Sequence, residues 1–154
     1  MPNFISEDDI EQAILQKLTQ QHGFQHLNCY TADADNTNDG SNRSDKRDVI
    51  LSDRLKAAAI RLNPGLPEAA IDKALAILTN KRYAMSAISA NREVDGLIRD
   101  GIQSDYENAE GHTVPVRVRV IDFNDFNPSK PNAPKNNEYL TISQLWIKGE
   151  NLTA

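Results

Sequence analysis

The chain has 154 residues, of which 39% are apolar and 25% charged, which suits an ordinary globular protein and excludes wholesale disorder. No apolar run approaches the roughly 18 residues that a membrane-spanning helix requires, and no membrane partner is expected. With 17 basic and 22 acidic residues the net charge is −5, opposite in sign to a simple basic nucleic-acid binder but not to a metal-dependent nuclease, whose site is itself acidic.

The opening residues, MPNFISEDDIE, carry neither a basic n-region nor an apolar h-region, so no secretory signal is read there. Cys29, the single cysteine, excludes an internal disulfide and a cysteine-based zinc site, and fits a reducing cytoplasm. A first helix is expected from Ser6, which with Asp9 makes a capping signal; Ile10, Ile14, Leu15 and Leu18 recur at helical spacing. Gly23 would end this helix as a left-handed C-cap, and a short strand could follow over 24–30. Residues 31–48 are polar and aperiodic, and read as an exposed loop.

Three helices are expected next. Leu51, Leu55, Ala58, Ala59 and Leu62 form one stripe, stopped by Asn63-Pro64-Gly65. Pro67 opens a second helix with Ile71, Ala74, Leu75 and Leu78 on its inner face. A third spans about Tyr83 to Arg99, with Ala84, Ile88, Val94, Leu97 and Ile98 inward. This 51–100 segment reads as a helical subdomain built on a hairpin. Period-two alternation then marks a strand over 113–123, with Val114, Val116, Val118 and Val120 on one side. A second strand is expected over 139–147, with Leu140, Ile142 and Trp146 on one side. A Pro- and Asn-rich turn over 124–137 would join the two, making 113–147 an antiparallel strand pair. The whole reads as one α+β domain.

Local chemical motifs are few. The glycines are scattered, so there is no phosphate-cradling loop. His22 and His26 are four apart, but a helix end falls between them, which argues against a metal pair. Cys29 reads as a small buried hydrophobe. Glu11 is less ordinary, because Glu7, Glu11, Ile14, Leu15 and Leu18 share one helical stripe. A carboxylate on an inward stripe must find a cation, a hydrogen-bond network or a metal. Arg43, Lys46 and Arg47 flank the polar loop, Lys56 and Arg61 lie on the second helix, and Arg117 and Arg119 share a strand face. A solvated sheet face, partly covered by a helix or acidic loop, accounts for the last pair, and a phosphate-contacting strip is not demanded.

Five segments together carry a resemblance. ISEDDIEQAILQKLTQQHGF (5–24), RDVILSDRLKAAAIRLNPGLPEAAIDKALAIL (47–78), ANREVDGLIRDGIQSDYEN (90–108), VRVIDFNDFN (118–127) and NNEYLTISQLWI (136–147) follow the order and spacing of one family. The chain resembles the amino-terminal region of the R (HsdR) subunit of type I restriction-modification enzymes. That resemblance implies a partial PD-(D/E)xK restriction-endonuclease-like sheet with an inserted helical hairpin subdomain. It also implies a full-length subunit that uses Mg²⁺ and ATP to translocate and cut double-stranded DNA with methyltransferase (M) and specificity (S) subunits. The catalytic Asp and Glu-x-Lys strands of that fold have no counterpart up to Ala154. The chain on its own is therefore expected to be inactive, with no cofactor and no metal ligand set. Glu11, or alternatively Glu7, matches the opening-helix glutamate of the family and would have a secondary catalytic role. DNA-contacting residues are not assigned by the resemblance, and a cytoplasmic location is expected.

Overall fold

The structure, a computed structural model, describes residues 5–126, 129, 132 and 135–149. The prolines of the predicted 124–137 turn (Pro128, Pro131 and Pro134) lie outside the described residues. In chain order the elements are helix α1 (Glu7–Gln16), continued by a π-helical turn (Lys17–Gln21), and strand β1 (Gln25–Asn28). Helices α2 (Ser52–Leu62), α3 (Glu68–Thr79) and α4 (Ala87–Asp100) follow, then strands β2 (Ile102–Glu107) and β3 (Thr113–Val118), a 3-10 turn (Phe123–Phe126) and strand β4 (Leu140–Ser143). The expected α+β class is what forms. No helix among the described residues is long and apolar enough to cross a membrane.

The single domain expected over 1–154 is corrected. The chain divides into two compact units: unit 1 joins the described residues up to Leu51 with those from Glu138 onward, and unit 2 is Ser52–Asn137. The expected antiparallel pairing within 113–147 is likewise overturned. β3 pairs antiparallel with β2, from Ile102↔Val118 to Glu107↔Thr113. β4 pairs in parallel with β1, from Gln25↔Leu140 to Asn28↔Ser143. The reason lies in β2, which the sequence hid. Its buried positions are Ile102 and Ser104, and the Ser104 hydroxyl donates to the Ala70 carbonyl at 2.8 Å. The Asn108–His112 turn then closes β2 on β3 over a far shorter span than the 124–137 connection would need. It is held by Asn108, whose side chain accepts from the Glu110 and His112 N–H groups.

Unit 2 therefore extends beyond the expected 51–100 subdomain to include this hairpin. Its core joins Ala59 of α2, Ile71, Ala74, Leu75 and Leu78 of α3, and Ile102 and Val118 of the hairpin. The inward face foreseen for α3 is thus the buried one. Each of its large aliphatic side chains contributes about 1.5–3 kcal/mol on burial. At the end of α2, Asn63 is nearly fully buried and works in three bonds. Its amide donates to the Ala59 carbonyl (2.7 Å) and the Arg119 carbonyl (2.8 Å), and its oxygen accepts from the Arg119 N–H (2.9 Å). It ties the C-terminus of α2 to the residue that follows β3. α4 begins later than expected, at Ala87, where the Ser86 hydroxyl accepts from the Ser89 N–H. Ala84 and Ile88 consequently fall outside its packed face, and Ile88 is 75% exposed. Val94, Leu97 and Ile98 do pack on the core.

Unit 1 is built differently. Cys29 is its fully buried apolar residue among the described ones, while Thr31, Asp39, Ser41, Arg43, Lys46 and Ser143 are buried polar residues. The exposed loop expected over 31–48 is accordingly corrected: several of its residues are interior, because their charges satisfy one another there. Phe24 stacks on Tyr139 at 5.2 Å between ring centres, beside the point where β1 meets β4. The strand expected over 139–147 is shorter, so Trp146 does not share a strand face with Leu140 and Ile142. β4 stops at Ser143, Gln144 turns the chain with φ 56, and Trp146 is about half exposed.

Candidate functional site

α1 is positioned by its cap. The Ser6 hydroxyl accepts from the Asp9 N–H at 3.1 Å, and the Asp9 carboxylate accepts from the Ser6 N–H at 3.0 Å, a complete capping box. The hydroxyl of Ser6, and then its N–H, hold the Asp9 carboxyl below its ordinary value. Two residues further on, Glu11 is half-buried, and its Oε2 accepts from the Gln144 side-chain amide at 2.9 Å. Glu11 and Glu7 both line a groove of about 310 Å³ between α1 and β4, with Ile10, Ile14, Ile142 and Ser143 among its walls. No residue of α1 is fully buried, and Ile10 and Ile14 remain 52% and 54% exposed. Among the described residues β1 and β4 pair with each other alone. An amphipathic helix with an open apolar stripe thus flanks a short parallel strand pair, an arrangement that is normally covered on both faces.

Unit 1 also holds an ionic lock that the sequence did not announce. Asp39 Oδ2 accepts from Lys46 Nζ at 2.7 Å and from Arg43 Nη2 at 3.0 Å, and all three side chains are at most 3% exposed. Burial alone would raise the Asp39 carboxyl, but hydrogen bonds from Lys46, Ser41 and Arg43 outweigh it and hold it well below the usual carboxylate range. Arg43 also donates to the carbonyls of Asp48 (2.8 Å) and Trp146 (3.0 Å). The Lys148 N–H donates to the Lys46 carbonyl at 3.0 Å, and its ammonium pairs with Asp35. The loop therefore clasps the chain just after β4. An Asp and an Arg four apart, with a Lys three further on, were the available signal; polar residues have no periodicity to mark them as interior.

The other candidate residues are dispersed. His26 Nε2 lies 2.8 Å from the Ser143 hydroxyl, tying β1 to β4, whereas His22 is exposed at the helix end. The Cys29 thiol is pushed up, first by burial and then by Asp39, which keeps it protonated and inert. Arg117 donates to the Asp100 carbonyl at 3.0 Å, and Arg47 and Lys56 pair with nearby acids. Arg119 is exposed, with the Asp122 carboxyl in its field. Among the described residues no three His, Cys, Asp or Glu side chains group as a metal site. Glu11 offers one carboxylate, with one oxygen already engaged by Gln144. That donor set is too thin to hold a hard octahedral cation such as Mg²⁺ without further carboxylates or phosphates.

The model of the family described as "Type I restriction enzyme R protein N terminus" matches residues 4–153. The endonuclease subunit of the type I restriction enzyme HindI from Haemophilus influenzae is 29% identical over 144 residues, which cover 94% of this chain. The chain spans 12% of the length of that relative. No solved structure matches the chain.

Proposed function

Because the chain belongs to the family of type I restriction enzyme R protein N termini, we propose that it forms the opening part of a PD-(D/E)xK-type nuclease domain. In this reading α1 and the β1–β4 pair are one flank of the DNA-cutting sheet. Strands bearing an Asp and a Glu-x-Lys complete the site elsewhere in the R subunit. Glu11 stands at the rim of that site in a secondary catalytic role, with Glu7 one turn away as the alternative. The whole subunit, with its M and S partners, translocates double-stranded DNA at the expense of ATP and cleaves it with Mg²⁺. The 154-residue chain alone does not cut. The observation that carries the reading is the place of Glu11: half-buried, held by Gln144, beside an open groove against β4.

The test is Glu11→Ala in the full R subunit assembled with M and S. Cleavage is expected to fall by about tenfold or more, the scale seen when a partner near a metal site is removed. ATP hydrolysis is expected to fall much less. Equal loss of both activities, or loss of neither, sinks the reading.

A second reading, a subunit-docking module formed by the helical hairpin 51–80 and its neighbours, is favoured by the separate core of unit 2 and by exposed Tyr83 and Met85, which follow that hairpin. Charged substitutions at those two residues would then abolish co-purification with M and S and leave the fold intact. Unchanged co-purification counts against this second reading.

A further inference from the structure

Gln144 stands between two fixed points. Before it, the Ser143 carbonyl accepts from the Cys29 N–H at 2.9 Å, and the Ser143 hydroxyl lies 2.8 Å from His26 Nε2. After it, the Trp146 carbonyl accepts from the buried Arg43 guanidinium, and the Lys148 N–H donates to the Lys46 carbonyl. Between these anchors Gln144 takes a left-handed backbone conformation, φ 56. Glycine enters that region freely, whereas a residue with a Cβ does so at a cost. Such strain persists only where the surroundings over-determine it, and it collects at functional positions. Here the anchors supply the over-determination. A glycine would serve the turn better, so the turn alone does not account for a glutamine.

The side chain supplies the reason. Its Nε2 lies 2.9 Å from Glu11 Oε2, while Oε1 of Glu11 makes no hydrogen bond among the described residues. A neutral amide donor fixes a carboxylate without cancelling its charge, which a Lys or Arg partner would do. We infer that Gln144 is a positioning residue for Glu11. Its kinked backbone aims the amide at Oε2, pins the carboxylate against β4, and leaves Oε1 as the acceptor presented to the groove with the negative charge intact. The inference rests on the role proposed for Glu11.

Glycine at this position relieves the strain, so Gln144→Gly separates positioning from folding. In the full R subunit with M and S, its unfolding midpoint should equal or exceed that of the parent. DNA cleavage should nevertheless fall by about tenfold or more, as for an orienting partner of a catalytic group. The double variant Glu11→Ala/Gln144→Gly should cleave no more slowly than Glu11→Ala alone, because the amide has nothing left to orient. Gln144→Glu, which sets a second carboxylate against the first, should lose cleavage as well. Parental cleavage by Gln144→Gly overturns the inference. So does a loss that follows a lowered unfolding midpoint, or a double variant in which the two losses multiply. If Glu11→Ala itself cleaves like the parent, the proposed role of Glu11 fails and takes this inference with it. If Glu11→Ala is impaired and Gln144→Gly is not, only the positioning role fails.

Discussion

Removing the Asp39 carboxylate should unlock unit 1. Asp39→Ala leaves Arg43 and Lys46 as buried cations, 2% and 3% exposed, with no anion between them. At the observed 3.0 and 2.7 Å, each pair carries roughly 4 kcal/mol or more of gross attraction at an effective dielectric of about 20. Desolvation of the ions offsets much of this in the intact protein, but truncation keeps the desolvation and removes the attraction. Breaking a buried pair in this way costs about 3–5 kcal/mol. The assay is built in, because the chain has one tryptophan, Trp146, and its carbonyl is bonded to Arg43. In a urea titration Trp146 fluorescence follows unit 1, while far-UV circular dichroism is dominated by the helices of unit 2. With a urea slope of about 1–2 kcal/mol per molar for a unit this small, the Trp146 midpoint should drop by about 2 M and the dichroism midpoint much less. The sign with pH follows from the depressed Asp39 carboxyl. Its stabilisation is complete above the unfolded value of about 3.9 and is lost as the pH falls below it. An unmoved Trp146 midpoint would refute the reasoning and reduce the lock to an ordinary surface pair.

Two further outcomes test unit 2. Asn63→Ala should cost about 2–3 kcal/mol, because it leaves the Ala59 and Arg119 carbonyls and the Arg119 N–H short of a partner; thermal melting followed by dichroism at helical wavelengths reads this, and a change below about 0.5 kcal/mol counts against it. Gly101→Ala should be markedly worse than Gly65→Ala in the same melt. Both glycines have positive φ, 81 and 88, but a Cβ at 101 would come within 2.8 Å of Arg117 Cγ and 3.3 Å of the Val118 carbonyl, whereas at 65 it meets nothing. Equal losses would show that the backbone angle alone decides.

The legible parts of this fold were those where apolar residues keep a period. α3 was readable because Ile71, Ala74, Leu75 and Leu78 fall on one face and all four are buried. The cap of α1 was readable because a capping box is local. β2 was not, because its second interior position is Ser104, whose burial depends on a carbonyl in another helix. The partner of β4 was hidden for a different reason. Neighbouring strands in sequence invite pairing, and nothing in a four-residue strand announces a parallel partner far up the chain. At the candidate site the stripe position of Glu11 was visible, and Gln144 lay within 136–147, one of the segments that carry the resemblance. Their contact was not, because it depends on a left-handed turn that glutamine does not advertise. The lock of Asp39, Arg43 and Lys46 was not legible within the polar loop, since charge in sequence looks the same whether it faces water or a counter-ion.

The split arrangement of unit 1 sets an order of events during synthesis. His26 and Ser143, bonded in the finished protein, are 117 residues apart, and all of Ser52–Asn137 lies between them. A chain emerging from the ribosome amino end first completes the intervening segment and can bury Ile71, Ile102 and Val118 together before β4 exists. β1 meanwhile waits as an unpaired strand, open to improper partners. Once the intervening segment has compacted, the ends it separates are joined by a body rather than by a long floppy loop, which lowers the entropy lost on closing them. The encounter of Glu11 with Gln144 thus comes late in the assembly of unit 1, timed by a hairpin and three helices that carry neither residue.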